Sequence, residues 1–266
     1  MATVNALVLR AAGVNCNEET AYALELAGAD HVEQIHVNRL IEKPADLDRF
    51  SFLVVPGGFS YGDDISAGKI LAKQIELHLG ESVTRFIASG KLVLGICNGF
   101  QVLVKTGLLP GLQAPDGKPA AGLVTLTNND SGKYEDRWVH LVSSSKKNIF
   151  LPAGGGPIFL PVAHGEGKIA VREPAVLDRL RSEDLVAIRY CDESGSLAAG
   201  RFPLNPNGAI DDIAGLCNPT GQVFGLMPHP ERHCLPTQHP QWTRRGLQAP
   251  DGLAIFRNGI EFLRKA

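Results

Sequence analysis

The stretch Gly95-Ile96-Cys97-Asn98-Gly99-Phe100-Gln101 restricts the fold of this chain more than any other. It follows Lys91-Leu92-Val93-Leu94, a run with the apolar, β-branched content of a buried strand. It precedes Val102-Leu103-Val104-Lys105, which suits a helix. Strand and helix must therefore meet across a very tight turn. Glycines two residues before and two residues after Cys97 remove the Cβ atoms that would collide there. Cys97 is placed at the apex, near a helix N-terminus whose dipole favours the thiolate, the nucleophilic form. The alternative is a buried structural cysteine between two packing glycines.

The residues before this turn repeat one theme. Ala6-Leu7-Val8-Leu9 reads as a first strand. The loop Asn15-Cys16-Asn17 follows, then a helix with Asn17 as N-cap, Glu18 and Glu19 in its first turn, and apolar spacing through Ala23, Leu24 and Leu26. His31 to Val37 reads as a second strand, Pro44 to Phe50 as a helical turn, Phe52-Leu53-Val54-Val55 as a third strand, and Ala67 to Ser89 as a long crossover helix. Such βαβ succession predicts an α/β fold, a mostly parallel sheet with right-handed crossovers and helices on both faces. Ligands bind at the carboxyl ends of such strands. Both Cys97 and the loop Pro56-Gly57-Gly58-Phe59-Ser60-Tyr61-Gly62-Asp63-Asp64 lie at that edge. Adjacent glycines there let backbone N–H groups turn toward a ligand, as an oxyanion hole requires, although they also make ordinary turns. Cys16 is the rival nucleophile, in a loop between strand and helix, but it lacks the flanking glycine pair.

The second half changes character. Leu123 to Leu126, Trp138 to Val142 and Ile158 to Val162 predict strands separated by polar or glycine-rich turns, an antiparallel excursion on the same sheet. Pro152 to Pro157 reads as a surface loop and Glu173 to Arg181 as a short helix. In Pro161-Val162-Ala163-His164-Gly165-Glu166-Gly167, His164 and Glu166 are candidate active-site groups on a glycine-flanked loop, or else a solvated turn. A later apolar strand runs into Met227-Pro228-His229-Pro230-Glu231-Arg232. In extended chain His229 and Glu231 would point the same way, so the carboxylate can hold one imidazole nitrogen and aim the other at a nucleophile. His233, Cys234 and His239 have poor metal-ligand spacing, broken by prolines, and no metal is expected. Leu235 to Pro250 reads as loop, and Gly252 to Lys265 as a helix with Leu253, Phe256, Ile260 and Leu263 on one face.

At 266 residues the chain suits a single domain over 1–266, and a net charge of −2 lacks the basic footprint of nucleic-acid binders. Five cysteines without CxxC spacing suggest neither a disulfide framework nor a zinc knuckle, which points to a reducing, cytoplasmic setting. No signal-like start and no apolar run of membrane-spanning length is evident, and no GxxxxGK[ST] phosphate loop is present.

Taken together, Asn15-Cys16-Asn17 with Glu19-Thr20, the Gly57-Gly58-Phe59-Ser60-Tyr61-Gly62-Asp63 loop, the Cys97 turn, Ala163 to Gly167 and Met227 to Arg232 resemble the class I (triad) glutamine amidotransferases, a flavodoxin-like fold. Within that class the Phe-Ser-Tyr-Gly-Asp and Asn-Gly-Phe-Gln runs look most like the amidotransferase subunits of phosphoribosylformylglycinamidine synthases. The resemblance implies Cys97 as nucleophile on L-glutamine, His229 as general base and acid, and Glu231 as its orienting carboxylate. It further implies Gly58 and Asn98 as oxyanion donors, with Gly57, Gln101, His164 and Glu166 around the substrate. It implies no cofactor in this chain. ATP and Mg would sit on a large synthetase partner, with a small bridging subunit left open. The segments Gly111 to Ala121 and Leu235 to Pro250 look longer than in compact members. The rival reading on the same fold is a cysteine hydrolase or deglycase, but such proteins generally place His after the elbow Cys, where Asn98 stands.

Overall fold

The computed structural model describes residues 2–113, 122–151 and 154–265. Its first strands are β1 (Asn5–Arg10), β2 (His31–His36), β3 (Phe52–Val55) and β4 (Leu92–Ile96), all parallel, in the order β2-β1-β3-β4. The near-continuous apolar character of β1, β3 and β4 follows from burial on both faces, since helices cover each side. Between them run α1 (Asn17–Ala27), α2 (Val37–Glu42) and a 3₁₀ stretch (Pro44–Arg49). The last crossover is a helical run made of α3 (Lys69–Gln74), a π turn (Ile75–Leu79) and α4 (Gly80–Ala88), so the single long helix read from Ala67 to Ser89 carries an irregular turn at its centre. α2 was not evident in the sequence, because Val37-Asn38-Arg39-Leu40-Ile41-Glu42 is too short to show a helical period.

After α5 (Asn98–Lys105), the sheet continues with strands that reverse direction. β6 (Glu135–Ser143), β7 (Ile158–His164), β9 (Val186–Cys191), β10 (Ile213–Cys217) and β11 (Val223–Leu226) complete a nine-stranded sheet ordered β2-β1-β3-β4-β11-β10-β9-β6-β7, numbered so that β5 (Val124–Thr127) and β8 (Lys168–Val171) keep chain order. β11 is parallel to β4, and the pairs β11/β10, β10/β9, β9/β6 and β6/β7 are antiparallel. The antiparallel excursion on the same sheet is therefore present. β5 and β8 depart from it by forming a separate two-stranded ribbon.

α6 (Pro174–Ser182) matches the expected short helix. The stretch Leu235 to Pro250 is not all loop, since it holds a 3₁₀ turn (Pro236–Gln238) and the one-turn α7 (Trp242–Arg245). Of the segment Gly111 to Ala121, residues 114–121 lie outside the described residues, as do 152 and 153 of the Pro152 to Pro157 loop. The chain closes with α8 (Asp251–Lys265), whose Leu253, Phe256, Ile260 and Leu263 are buried as their spacing requires. No described helix is long and apolar enough to cross a membrane.

Candidate active site

Three neighbouring strands deliver three groups to one edge. In β3 and β4 Val55 stands opposite Gly95, and in β11 and β4 Leu226 stands opposite Ile96, so all three strands end level. The residues that follow them are Pro56-Gly57-Gly58, Cys97 and Met227-Pro228-His229. The fourth contributor is less obvious. β7 is the far edge strand of the sheet, yet the sheet curls so that Pro161 O accepts a hydrogen bond from His229 N at 2.8 Å.

Cys97 caps α5 with φ +50° and ψ −106°, a region that costs a non-glycine residue about 1–3 kcal/mol. The surroundings hold it there: Cys97 N donates to Leu226 O at 2.8 Å and Cys97 O accepts from Gln101 N at 3.1 Å. The turn is as close as the sequence requires. A Cβ on Gly99 would fall 1.8 Å from Val55 O, so only glycine lets α5 start against the end of β3. Cys97 is 5 % exposed and borders a cleft of about 200 Å³.

The glycine loop is pinned beside it. Cys16 N donates to Gly57 O at 3.2 Å and Phe59 N to Gly13 O at 2.9 Å. Gly58 has φ +142°, and a Cβ there would meet Asn15 N at 2.7 Å and Val14 Cα at 2.8 Å. Among the described residues Gly58 N–H donates to no protein acceptor. Asn98 N–H, the first of α5, has no acceptor within its own helix. These are the two backbone donors the sequence nominated. The Asn98 side chain joins turn to loop: its Oδ1 accepts from Ser60 N at 3.2 Å, and its Nδ2 donates to Gln101 Oε1 at 2.9 Å and Asp63 Oδ1 at 3.3 Å.

His229 and Glu231 do pair, with Nδ1 2.6 Å from Oε1, but not through an extended segment. Glu231 lies in a 3₁₀ turn, Pro230–Arg232, and the turn rather than strand alternation brings the carboxylate back to the ring. α8 backs that turn, with Gly252 N donating to His233 O at 3.0 Å. Burial alone would lower the His229 pKa. The Glu231 carboxylate and the neighbouring Cys97 and Cys16 sulfurs outweigh it and raise the value well above the usual histidine range. With Nδ1 committed to Glu231, the buried Nε2 has no hydrogen-bond partner among the described residues, and Cys97 is an electrostatic neighbour of the ring. Catalytic hydrogen bonds are often loose before substrate arrives.

The opposite wall of the cleft comes from the loop after β7. His164 is buried, and its Nδ1 lies 3.1 Å from Asn129 Oδ1, which also accepts from Gly167 N. An acceptor on that side makes Nδ1 the protonated nitrogen and leaves Nε2 as a lone pair. Burial, reinforced by repulsion from His229, lowers the His164 pKa to about 4, so the ring is neutral. Glu166 takes Ala67 N on Oε2 at 3.2 Å, and its backbone carbonyl accepts from Gln101 Nε2. Gln101 lines the cleft, but its amide already bridges Asn98 and Glu166. Gly57 stands behind, its position for a Cβ only 2.8 Å from His229 Cε1.

Sequence reasoning did not assign three further lining residues. Asp63, within the quoted Phe-Ser-Tyr-Gly-Asp run, lies at the cleft with Glu166; burial raises its pKa and the Glu166 charge adds to the rise. Phe59 and Tyr134 face each other at the cleft, ring centroids 6.4 Å apart, both largely exposed. An aromatic residue in a polar turn, such as Tyr134, carries no sequence signal of this placement. Cys16 is not at the cleft: it caps α1 in place of Asn17, whose side chain instead donates to Gln34 Oε1 at 2.7 Å. His233 and Cys234 are engaged separately, with Phe159 O and Pro230 O.

The arrangement provides a nucleophile, a base held by a carboxylate, free backbone donors and an acidic far end, which suits acyl transfer from a small amino-acid-like amide. Comparison with known proteins agrees. The family described as CobB/CobQ-like glutamine amidotransferase domain matches residues 3–263. Phosphoribosylformylglycinamidine synthase subunit PurQ of Dehalococcoides mccartyi is 45 % identical over 266 residues, covering all of both chains. The subunit of that name from Methanococcus maripaludis is 40 % identical, over 97 % of each chain. Among solved structures, a chain of PurLQS from Thermotoga maritima superposes with a TM-score of 0.72 at 30 % identity, covering 98 % of this chain and all of that one.

Proposed function

This chain belongs to the CobB/CobQ-like glutamine amidotransferase family, and from that membership we propose that it is the glutaminase subunit of a phosphoribosylformylglycinamidine synthase. It releases ammonia from L-glutamine in one domain and delivers it to an ATP-dependent synthetase that converts formylglycinamide ribonucleotide to formylglycinamidine ribonucleotide. The observation that carries the chemistry is the strained Cys97 turn beside the 2.6 Å His229–Glu231 pair.

The Cys97 thiolate attacks the side-chain amide carbon of glutamine, and the carbonyl π electrons move onto oxygen. Gly58 and Asn98 N–H groups receive that oxyanion. The His229 imidazolium gives its proton to the amide nitrogen as the C–N bond breaks, releasing ammonia and leaving a γ-glutamyl thioester. His229 then takes a proton from water, whose oxygen attacks the thioester. Glutamate leaves and the thiolate returns. Glu231 stabilises the imidazolium throughout. Asp63 and Glu166 supply the negative charge that an α-ammonium group needs. Neutral His164 offers its Nε2 lone pair, Gln101 shapes the wall, and Gly57 leaves room for the His229 ring behind it.

The relatives support a multisubunit setting: the D. mccartyi protein is a synthase subunit by name, and the T. maritima neighbour is from PurLQS. In this reading the large synthetase is the partner, a small third subunit bridges the complex, and ATP with Mg²⁺ binds the synthetase, consistent with the missing phosphate loop. The chain works in the cytoplasm. The deglycase reading is less favoured, since Asn98 occupies the place after Cys97 and ties the turn to the glycine loop.

Cys97→Ala in the reconstituted complex should abolish glutamine-dependent turnover and leave ammonium-dependent turnover near wild type. Glutamine-dependent turnover persisting in the variant would refute the assignment.

A further inference from the structure

Cys16 remains unused by this mechanism, although it stands against the catalytic pair. Its sulfur, a His229 ring nitrogen and a Glu231 carboxylate oxygen lie within 4.8 Å of one another, and all three residues are buried. A metal ion is a poor occupant of that cluster, because the Arg232 guanidinium donates from Nη2 to Cys16 Sγ at 3.1 Å and places a fixed positive charge there. Arg232 Nε holds Glu19 Oε1 at 3.0 Å. The guanidinium is thus anchored at two points, neither of them the carboxylate of the adjacent residue. Glu231 Oε2 is buried and has no partner among the described residues.

We infer that Cys16 is a positioning residue: its sulfur anchors Arg232 so that the cation does not pair with Glu231, whose full negative charge then remains available to the His229 imidazolium. The Arg232 cation also feels the charge of Glu231, so its two anchors, Glu19 and the Cys16 sulfur, decide which carboxylate it pairs with. The thiol suits the task. Burial, aided by the Glu231 charge, raises its pKa against the opposing effect of the neighbouring His229 ring and Arg232, which keeps it neutral, with its S–H toward Asn15 Oδ1 at 3.2 Å and a sulfur lone pair toward Arg232. Cys16 N also holds the glycine loop through Gly57 O, so the anchor sits on the same frame as the oxyanion donors.

The inference rests on the proposed roles of Cys97, His229 and Glu231, and its test uses a readout that needs no glutamine. The pH dependence of Cys97 alkylation by iodoacetamide, followed on the Cys97 peptide by mass spectrometry, reports where thiolate and imidazolium coexist. In Cys16→Ala, Arg232 reaches Glu231 and the imidazolium loses support, so the limb on which His229 gives up its proton should move down by about 0.5–1 pH unit, the scale of a nearby charge effect. The kcat for glutamate release should fall roughly tenfold, about 1.4 kcal/mol, with KM unchanged. Cys16→Ser, which keeps an acceptor for Nη2, should stay close to wild type. Cys16→Ala combined with Arg232→Gln should recover the wild-type limb, which a packing defect would not do. If Cys16→Ala fails to fold, Glu19→Gln loosens the other anchor of Arg232 at a partly exposed site and must shift the limb the same way. An unshifted limb in the folded Cys16→Ala or Glu19→Gln variant, or no recovery in the double variant, overturns the inference. A shifted limb in a protein that does not hydrolyse glutamine would count against the proposed function alone.

Discussion

In the proposed mechanism much depends on one side chain, Glu231. It raises the His229 pKa against the opposing effect of burial, so the imidazolium persists to higher pH than a free histidine would allow. Glu231→Gln removes that support. The alkaline limb of kcat for glutamate release should move to lower pH, and the rate should fall by about 10- to 10⁴-fold, the span from lost orientation to loss of a triad carboxylate. A pH–rate profile on the variant checks both. His164 makes the opposite case. Its pKa is depressed to about 4, so between that value and the unfolded value of 6.5 the unfolded chain binds a proton that the native one excludes. Stability from the neutral ring is complete above 6.5 and lost as pH falls toward 4, on the order of 3 kcal/mol. Urea unfolding of His164→Gln at several pH values should therefore show a flatter dependence across that window than wild type. That Cys97, His229 and Glu231 would meet at one strand edge was legible, because Cys97 lies between Gly95 and Gly99 and the other two flank Pro230, each after an apolar run. Asp63, Phe59 and Tyr134 were not assigned, since what places them is the meeting of loops remote in sequence.

At the level of elements, the turn from β4 into α5 is set by space rather than by helix propensity. A Cβ on Gly99 would overlap the Val55 carbonyl, a backbone atom held in the sheet by β3 and β4 pairing, so neither side can yield. Gly99→Ala should lower stability by about 3 kcal/mol, at the upper end of overpacking costs, with glutaminase activity lost alongside. Its denaturation midpoint against that of wild type checks this. The elements themselves were readable where a period ran long enough. α8 showed its buried stripe at Leu253, Phe256, Ile260 and Leu263, and β1, β3 and β4 their continuous apolar runs. β8, β9 and β10 were missed. Ile213-Ala214-Gly215-Leu216-Cys217 is buried throughout, so it has no alternation to mark it as a strand, and Gly215 weakens the signal further. The pairing of Glu231 with His229 was foreseen for the wrong reason, since a proline-started 3₁₀ turn, not an extended segment, closes it.

The whole molecule explains why a chain whose ends of information are so scattered forms one site. The sheet order places β3, β4 and β11 side by side, parallel and with level carboxyl ends, which gathers Gly58, Cys97 and His229. The parallel half could be argued from the βαβ order. The curl that returns β7 to the cleft could not, because it depends on the accumulated twist of nine strands. What this architecture is proposed to do is make one covalent bond, between the Cys97 sulfur and the γ-carbonyl carbon of glutamine. Acid quenching of the complex during turnover of isotopically labelled glutamine, followed by peptide mapping, tests that directly. The expected result is a labelled γ-glutamyl group on the Cys97 peptide that is absent from Cys97→Ala. Label on the Cys16 peptide, or undiminished ammonia release from a protein that carries none, would contradict it.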